Sequence, residues 1–235
     1  MQYYVIPPKR NAEFVAAMKR VLDTYHLPYD PKVPVIVMDE QPVQLFKETR
    51  TPIPATRHHA KRVDYEYDRA GVANIFMFAE PLGCWRRVAV RERKTKIDWA
   101  YEVRILLEKD YPNAKKVILV CDNLNVHSLG ALYEAFEPEV VRSLARRLEI
   151  IPTPKHGSWL NIAENELNAL TVQCVKGRRF DTIEELREEV LAWAQQCNDK
   201  QKGVIWQFNC KNARINHWFP ITVVDFSFNP LLIID

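Results

Sequence analysis

The sequence has no apolar run long enough to cross a membrane. A spanning helix needs about 20 consecutive apolar residues, and no stretch of the chain approaches that length. The first ten residues, MQYYVIPPKR, also lack the continuous apolar segment of a secretory signal peptide. We therefore expect a cytoplasmic protein with no membrane partner.

The sequence is also short of paired cysteines and of excess charge. Its five cysteines are widely spaced, without a CxxC motif or histidines at zinc-site spacing, which is typical of reduced intracellular thiols. A formal net charge of +3 permits a polyanionic partner without requiring one. With 235 residues, 47% of them hydrophobic, the chain can bury a substantial core of about one domain.

Acidic residues follow two short apolar runs that are rich in β-branched side chains. VIVMDE ends in Asp39 and Glu40, and KVILVCDN ends in Asp122 and Asn123. Both runs predict buried strands, and an open α/β sheet places its chemistry at the carboxyl ends of such strands. Together with an acid from a later helix, these aspartates form a candidate magnesium site, because magnesium prefers oxygen ligands.

Each of these acids also has a simpler interpretation. A single aspartate at a strand end is more often a turn or cap residue. The polar cluster after Asp122, which contains Asn123 and His127, also suits a turn held by local hydrogen bonds. His127 is a candidate to orient a water or a phosphate, and a locally bonded histidine is the equal alternative.

The order of predicted elements indicates an α/β fold. GVANIFMFAE and WRRVAV flank a turn and predict a hairpin, so that three successive strands are antiparallel. A helix over 95–108, with Thr95 as N-cap, joins them to the second acidic strand and makes that strand parallel to the first. Residues 42–64 are predicted to be a hairpin or loop insertion. Further helices are expected over 128–135, 138–148, 160–175 and 182–196, with a short strand at 149–151.

The third acid lies in the segment LNIAENELNAL, which offers two glutamates. On a helical wheel, Glu164 and Glu166 fall roughly 80° from the centre of the apolar stripe, on opposite flanks. Only one of them can face a given site. The wheel does not decide between them, although the flank of Glu164 is the more polar one.

Several ordered blocks of the chain resemble one family. MDE, CDNLNVH and TPKHGSWLNIAENEL are similar to the three acidic blocks of DDE transposases, and in particular to the bacterial insertion sequence 630 family of the mariner superfamily. The resemblance extends from about residue 6 to about residue 216. It implies an RNase H-like fold, in which a mixed sheet of three antiparallel strands followed by parallel strands is flanked by helices.

The resemblance also implies a chemistry. Asp39, Asp122 and Glu164, the last matching the glutamate of an N-x-x-E pattern, would bind two Mg²⁺ or Mn²⁺ ions. Water would attack the phosphodiester at a transposon end, and the freed 3′-hydroxyl would attack target DNA. Glu166 would then be an auxiliary neighbour, as would Asn123 and His127. The partners would be transposon-end and target DNA and a second copy of the chain, in a bacterial, nucleoid-associated protein.

A domain division follows from the same resemblance. We expect an N-terminal linker and helix over 1–34, an RNase H-like DDE catalytic domain over 35–200, and a C-terminal extension over 201–235. The segment before Val35 is too short for the helix-turn-helix modules of this family, so the chain is expected to be the catalytic portion, with DNA recognition possible on a separate chain. The alternatives are a catalytically silent remnant that only binds DNA or dimerises, and a stand-alone RNase H-like nuclease.

Basic clusters are candidate phosphate contacts. Lys155 and His156 lie in the loop that leads to the helix of Glu164, and Arg57, Lys61 and Arg62 lie in a basic stretch. Arg86, Arg87 and Arg91 are further candidates. A solvated surface run is the alternative for each cluster.

Overall fold

The structure, a computed structural model, describes residues 12–60, 62–155 and 157–201. Within them the chain forms five strands: β1 (Val35–Glu48), β2 (Tyr67–Glu80), β3 (Trp85–Arg91), β4 (Val117–Cys121) and β5 (Leu148–Pro152). The α-helices are α1 (Ala12–Tyr25), α2 (Lys96–Ile105), α3 (Leu129–Ala135), α4 (Pro138–Arg147), α5 (Ala163–Leu170) and α6 (Ile183–Asp199). One π-helical turn, Leu106–Asp110, continues α2, another, Thr171–Val175, continues α5, and a 3-10 turn spans Ser158–Leu160.

The five strands form one mixed sheet in the order β3-β2-β1-β4-β5. The pairs β3/β2 and β2/β1 are antiparallel, whereas β1/β4 and β4/β5 are parallel. This topology confirms the mixed sheet expected from the sequence. It arises because a tight turn joins β2 to β3, while α2 carries the chain back to start β4 beside β1.

Alternation along the strands gives the sheet two buried faces. Ile36 and Met38 point toward a core built with α2, α3 and α4, and we call this side the α2 face. Val37 points the other way, toward α1 and the start of α5, and we call that side the α5 face. α6 covers the α5 face farther along, over β2 and β3. Helices on both sides explain why the strands carry long apolar runs.

The expectation for residues 42–64 was wrong in part. β1 continues through Pro42 to Glu48, and Val43 and Leu45 are buried in the core. Proline is tolerated at position 42 because β4 pairs only with Val35–Val37, so beyond Val37 β2 is the only described strand that pairs with β1. The segment from 49 to 66 is irregular apart from a bridge between Ile53 and Arg62.

Helix ends follow their local sequence signals. Thr95 caps α2 in a reciprocal capping box with Asp98, as the sequence predicts. Thr182 caps α6 by accepting a hydrogen bond from the Glu185 amide. The helix expected over 160–175 begins only at Ala163. Leu160 belongs to the preceding 3-10 turn, and Asn161 turns inward to bond to β1.

No helix among the described residues is long and apolar enough to cross a membrane. The four cysteines in the same part of the chain, Cys84, Cys121, Cys174 and Cys197, are all free thiols.

Candidate active site

The sheet brings the two aspartates to adjacent positions. In the parallel pair β1/β4, Val37 lies opposite Val120, so Asp39 and Asp122 are each two residues beyond the last paired residues of these two strands, although β1 itself continues to Glu48. The alternation that turns Val37 and Val120 toward the α5 face places both aspartates on that side. The register therefore places Asp39 of β1 beside Asp122, the residue that directly follows β4.

Glu164 enters from the first turn of α5, and the start of that helix is tied to β1. The Asn161 side-chain amide donates to the carbonyl of Met38 at 2.8 Å, directly before Asp39. The Asn161 side-chain oxygen accepts from the Ala163 amide at 3.2 Å. Asn161 is 1% exposed, so this link lies in the interior. It fixes the beginning of α5 beside the strand that bears Asp39.

The three acids influence one another electrostatically. Burial raises the pKa of Asp39 to about 7, and the negative charges of Asp122, Glu40 and Glu164 add to the rise, against one hydrogen bond from the Glu40 amide. Burial and Asp122 also raise the pKa of Glu164, while the Ser158 hydroxyl opposes the rise. A cluster of acids with raised pKa values is relieved by a bound cation.

His127 links Asp122 to Glu40. Its Nε2 lies 2.8 Å from Glu40 Oε1, and its Nδ1 lies 2.5 Å from Asp122 Oδ1. Burial alone would lower the pKa of His127, but hydrogen bonds with Asp122, Cys121 and Glu40 raise it to about 12. The ring therefore lies between two carboxylates, Glu40 on β1 and Asp122 just after β4. Glu40 was not proposed as a site residue from the sequence. The signal that could have identified it is strand alternation, which turns Glu40 to the opposite side of β1 from Asp39.

Glu166 lies on the other flank of α5. Its carboxylate accepts two hydrogen bonds from Arg86 of β3, at 2.9 and 3.1 Å, inside the protein. β3 is at the far edge of the sheet from β4 and β5. The structure thus brings Glu164, and not Glu166, to the two aspartates.

The acids fit a divalent cation in chemistry and in charge. Among the residues that the structure describes, no three histidine, cysteine or acidic side chains already form a metal-binding cluster. Asp39, Asp122 and Glu164 nevertheless offer only hard carboxylate oxygens, as Mg²⁺ and Mn²⁺ prefer. His127 contacts Oδ1 of Asp122, so the second oxygen of that carboxylate is the one that would face a cation.

Comparison with known proteins decides the family. The family model described as "DDE superfamily endonuclease" matches residues 34–187, which is more than half of the chain. The chain belongs to the DDE superfamily endonucleases. Comparison with curated proteins gives no match.

Solved structures similar to this DDE superfamily member share its fold. The catalytic domain of Mos1 mariner transposase aligns with a TM-score of 0.50 at 13% identity, covering 92% of this chain and 100% of that one. The mariner Mos1 paired end complex with Mg aligns with a TM-score of 0.51 at 14% identity, covering 84% and 61%. The Mos1 mariner paired end complex with Mn aligns with a TM-score of 0.50 at 15% identity, covering 92% and 66%. The chain spans less than two thirds of the transposase chains in these complexes, and at such identities the likeness establishes the fold alone.

The basic candidates of this DDE superfamily member divide into exposed and paired side chains. Lys155, Arg57 and Arg62 are exposed, as is the auxiliary candidate Asn123, while Lys61 and His156 lie outside the described residues. The arginines of β3 are instead committed to internal ion pairs: Arg86 with Glu166, and Arg87 and Arg91 with the buried Glu102. A contact with DNA phosphate by these arginines would require them to break or share these pairs, so the exposed Lys155, Arg57 and Arg62 are the better placed candidates.

Proposed function

We propose that this chain is the catalytic domain of a transposase of the insertion sequence 630 type. It would hydrolyse the phosphodiester bond at transposon ends and transfer the freed strand to target DNA. Membership of the DDE superfamily supports endonuclease chemistry. The observation that carries the proposal is the register of the parallel strands β1 and β4, which sets Asp39 beside Asp122 just after β4, with Glu164 on the helix tied to β1.

Asp39, Asp122 and Glu164 are the proposed ligands of two Mg²⁺ or Mn²⁺ ions. Such ions, when bound, neutralise charge and polarise the attacking and leaving oxygens of an in-line displacement. The residues themselves supply three carboxylates beside the point where β4 ends, on the side of the sheet that α5 covers. The raised pKa values of Asp39 and Glu164 are consistent with a site whose charge is balanced only when cations are present.

DNA is the proposed substrate and partner. Lys155 lies between β5 and the 3-10 turn that leads to α5, so a phosphate bound by it would approach Glu164. Arg57 and Arg62 offer further exposed charge in the segment from 49 to 66. We also propose that two copies act together on paired ends, and that a separate helix-turn-helix chain supplies recognition. The first of these proposals is supported by the paired-end complexes of the similar Mos1 structures.

The test is a cleavage assay with the purified full chain. A supercoiled plasmid that carries the DNA flanking the gene on both sides is incubated with Mg²⁺ or Mn²⁺, and nicks and joined products are separated on gels. Asp122→Asn should abolish metal-dependent cleavage, because it removes one carboxylate charge with little change in shape. Glu188→Gln, which makes the same change at an exposed position of α6, should cleave like the wild type.

The products separate the remaining alternatives. Nicks followed by joined strands support a transposase, whereas nicks alone at every metal concentration support a stand-alone nuclease. Metal-dependent cleavage that survives in Asp122→Asn contradicts the proposed site. A wild-type chain that binds DNA and never cuts it would be the catalytically silent form.

A further inference from the structure

Strand alternation separates Glu40 from its neighbour Asp39. Asp39 follows the side of Val37, toward α5, whereas Glu40 follows Ile36 and Met38, toward the α2 face. The Glu40 side chain is 3% exposed and therefore lies inside the protein. A second carboxylate directly after a proposed metal ligand thus points to the opposite side of the sheet.

His127 connects that opposite side to the proposed site. The ring contacts Glu40 Oε1 through Nε2 at 2.8 Å and Asp122 Oδ1 through Nδ1 at 2.5 Å. Nδ1 also lies 3.3 Å from the main-chain carbonyl oxygen of Asp122. Trp99 of α2 packs on the ring with centroids 5.6 Å apart, and the ring is fully buried. His127 therefore has contacts at both nitrogens and on one face.

Asp122 needs an external support because it lies beyond the strand ladder. β4 ends at Cys121, and the chain then passes through three exposed residues, Asn123, Leu124 and Asn125. No strand pairing fixes the side chain at this point. The contact with His127 engages Oδ1, which leaves the second oxygen of Asp122 available to a cation.

We propose that Glu40 and His127 form a positioning pair that orients the Asp122 carboxylate for metal binding. Glu40 holds the ring from the α2 face, and the ring holds Asp122 at the end of β4. Neither residue is a metal ligand in this arrangement. The inference rests on the proposed function, because it concerns how one of the three proposed ligands is held. Partners of this kind in metal sites typically contribute about 10- to 100-fold to metal affinity or activity.

The experiment measures Mn²⁺ affinity of the full chain by calorimetric titration, together with thermal unfolding in EDTA. The variants are Glu40→Ala, which removes the acceptor of Nε2, and Glu40→Gln, which keeps a neutral acceptor. Glu102→Ala and Glu102→Gln are matched controls, because Glu102 is an equally buried carboxylate on the α2 side that pairs with Arg87 and Arg91.

The positioning role predicts a graded loss of affinity. Glu40→Ala should weaken Mn²⁺ binding by about 10-fold or more. Glu40→Gln should lie between that variant and the wild type. Both Glu102 variants should lower the unfolding temperature in EDTA and retain wild-type affinity.

Three results would overturn the inference in different ways. Wild-type affinity in both Glu40 variants, with a clear response in the wild-type chain, overturns the positioning pair and leaves the proposed function in place. Equal loss of Mn²⁺ affinity in the Glu40 and Glu102 variants would mean that general destabilisation causes the loss, and it would overturn the positioning pair. A wild-type chain with no Mn²⁺ binding overturns both proposals. If Glu40→Ala does not fold, Glu40→Gln is compared with Glu102→Gln. The positioning pair then requires weaker Mn²⁺ binding in Glu40→Gln and wild-type Mn²⁺ binding in Glu102→Gln.

Discussion

Arg86 and Glu166 form a buried ion pair that joins β3 to α5. The guanidinium donates from Nε and Nη2 to the two carboxylate oxygens at 2.9 and 3.1 Å, and the side chains are only 5% and 8% exposed. A bidentate pair of this kind ties the Glu166 flank of α5 to β3. Glu164 lies on the opposite flank, where the start of the helix is held separately by the Asn161 hydrogen bond to β1.

Loss of Glu166 should affect stability and not metal binding. Glu166→Ala leaves the Arg86 charge buried opposite a cavity and should lower the free energy of unfolding by about 3–5 kcal/mol. Chemical denaturation in EDTA measures this change. Glu164→Ala should alter stability far less and should abolish the stabilisation by Mg²⁺ or Mn²⁺. If Glu166→Ala lost the metal response and Glu164→Ala kept it, the assignment of the third ligand would have to be exchanged.

The local elements were predictable because their signals are local. The apolar runs before Asp39 and Asp122 identified both central strands, and Thr95 identified the start of α2. The wheel also placed Glu164 and Glu166 on opposite flanks of α5. Each of these features depends on residues within a few positions of one another, where propensity and periodicity act.

The contacts that assemble the site join residues far apart in the sequence. Arg86 and Glu166 are 80 positions apart, and His127 and Glu40 are 87 apart. No periodicity within one segment specifies such partners, because they depend on strand order and register. The continuation of β1 through Pro42 was missed for the same reason: proline argues against a strand unless that part of the strand is known to be at an edge.

Asn161 should be needed to hold Glu164 in place. Asn161→Ala removes the hydrogen bonds to Met38 and Ala163 and leaves the Met38 carbonyl unsatisfied, which should cost about 1–3 kcal/mol of unfolding free energy. Because the start of α5 is then released from β1, Mn²⁺ affinity should fall as well. Asn168→Ala is the matched control, since Asn168 is exposed on the same helix. Equal metal affinity in the two variants would argue against this link.

Asp39 should reduce the stability of the metal-free chain. Burial and three nearby carboxylates disfavour its charge, so Asp39→Asn should raise the free energy of unfolding in EDTA at pH 8 by on the order of 1–2 kcal/mol. The same variant should lose the stabilisation by Mg²⁺, which for an intact site is about 2.7 kcal/mol at 100 times Kd.

Asp68→Asn is the control for the Asp39 variant, because it makes the same change at an exposed position of β2. It should leave both the metal-free stability and the metal response unchanged. A decrease in the metal-free stability of Asp39→Asn would mean that the Asp39 charge is favourably compensated without any ion.

Lys155 should contribute one phosphate contact to DNA binding. Lys155→Ala should weaken binding of element-end DNA and reduce the slope of log K against log salt concentration by about 1, because one counterion fewer is released. Fluorescence anisotropy over a salt series measures both quantities. Lys200→Ala is the control, because it removes an exposed charge just after α6. Asn198 of α6 bonds the backbone of β3, so Lys200 lies near the opposite edge of the sheet from β5. This variant should leave the salt slope unchanged. Identical salt slopes for the two variants and the wild type would exclude Lys155 from the DNA interface, and the approach of DNA to Glu164 would then have to come from another side.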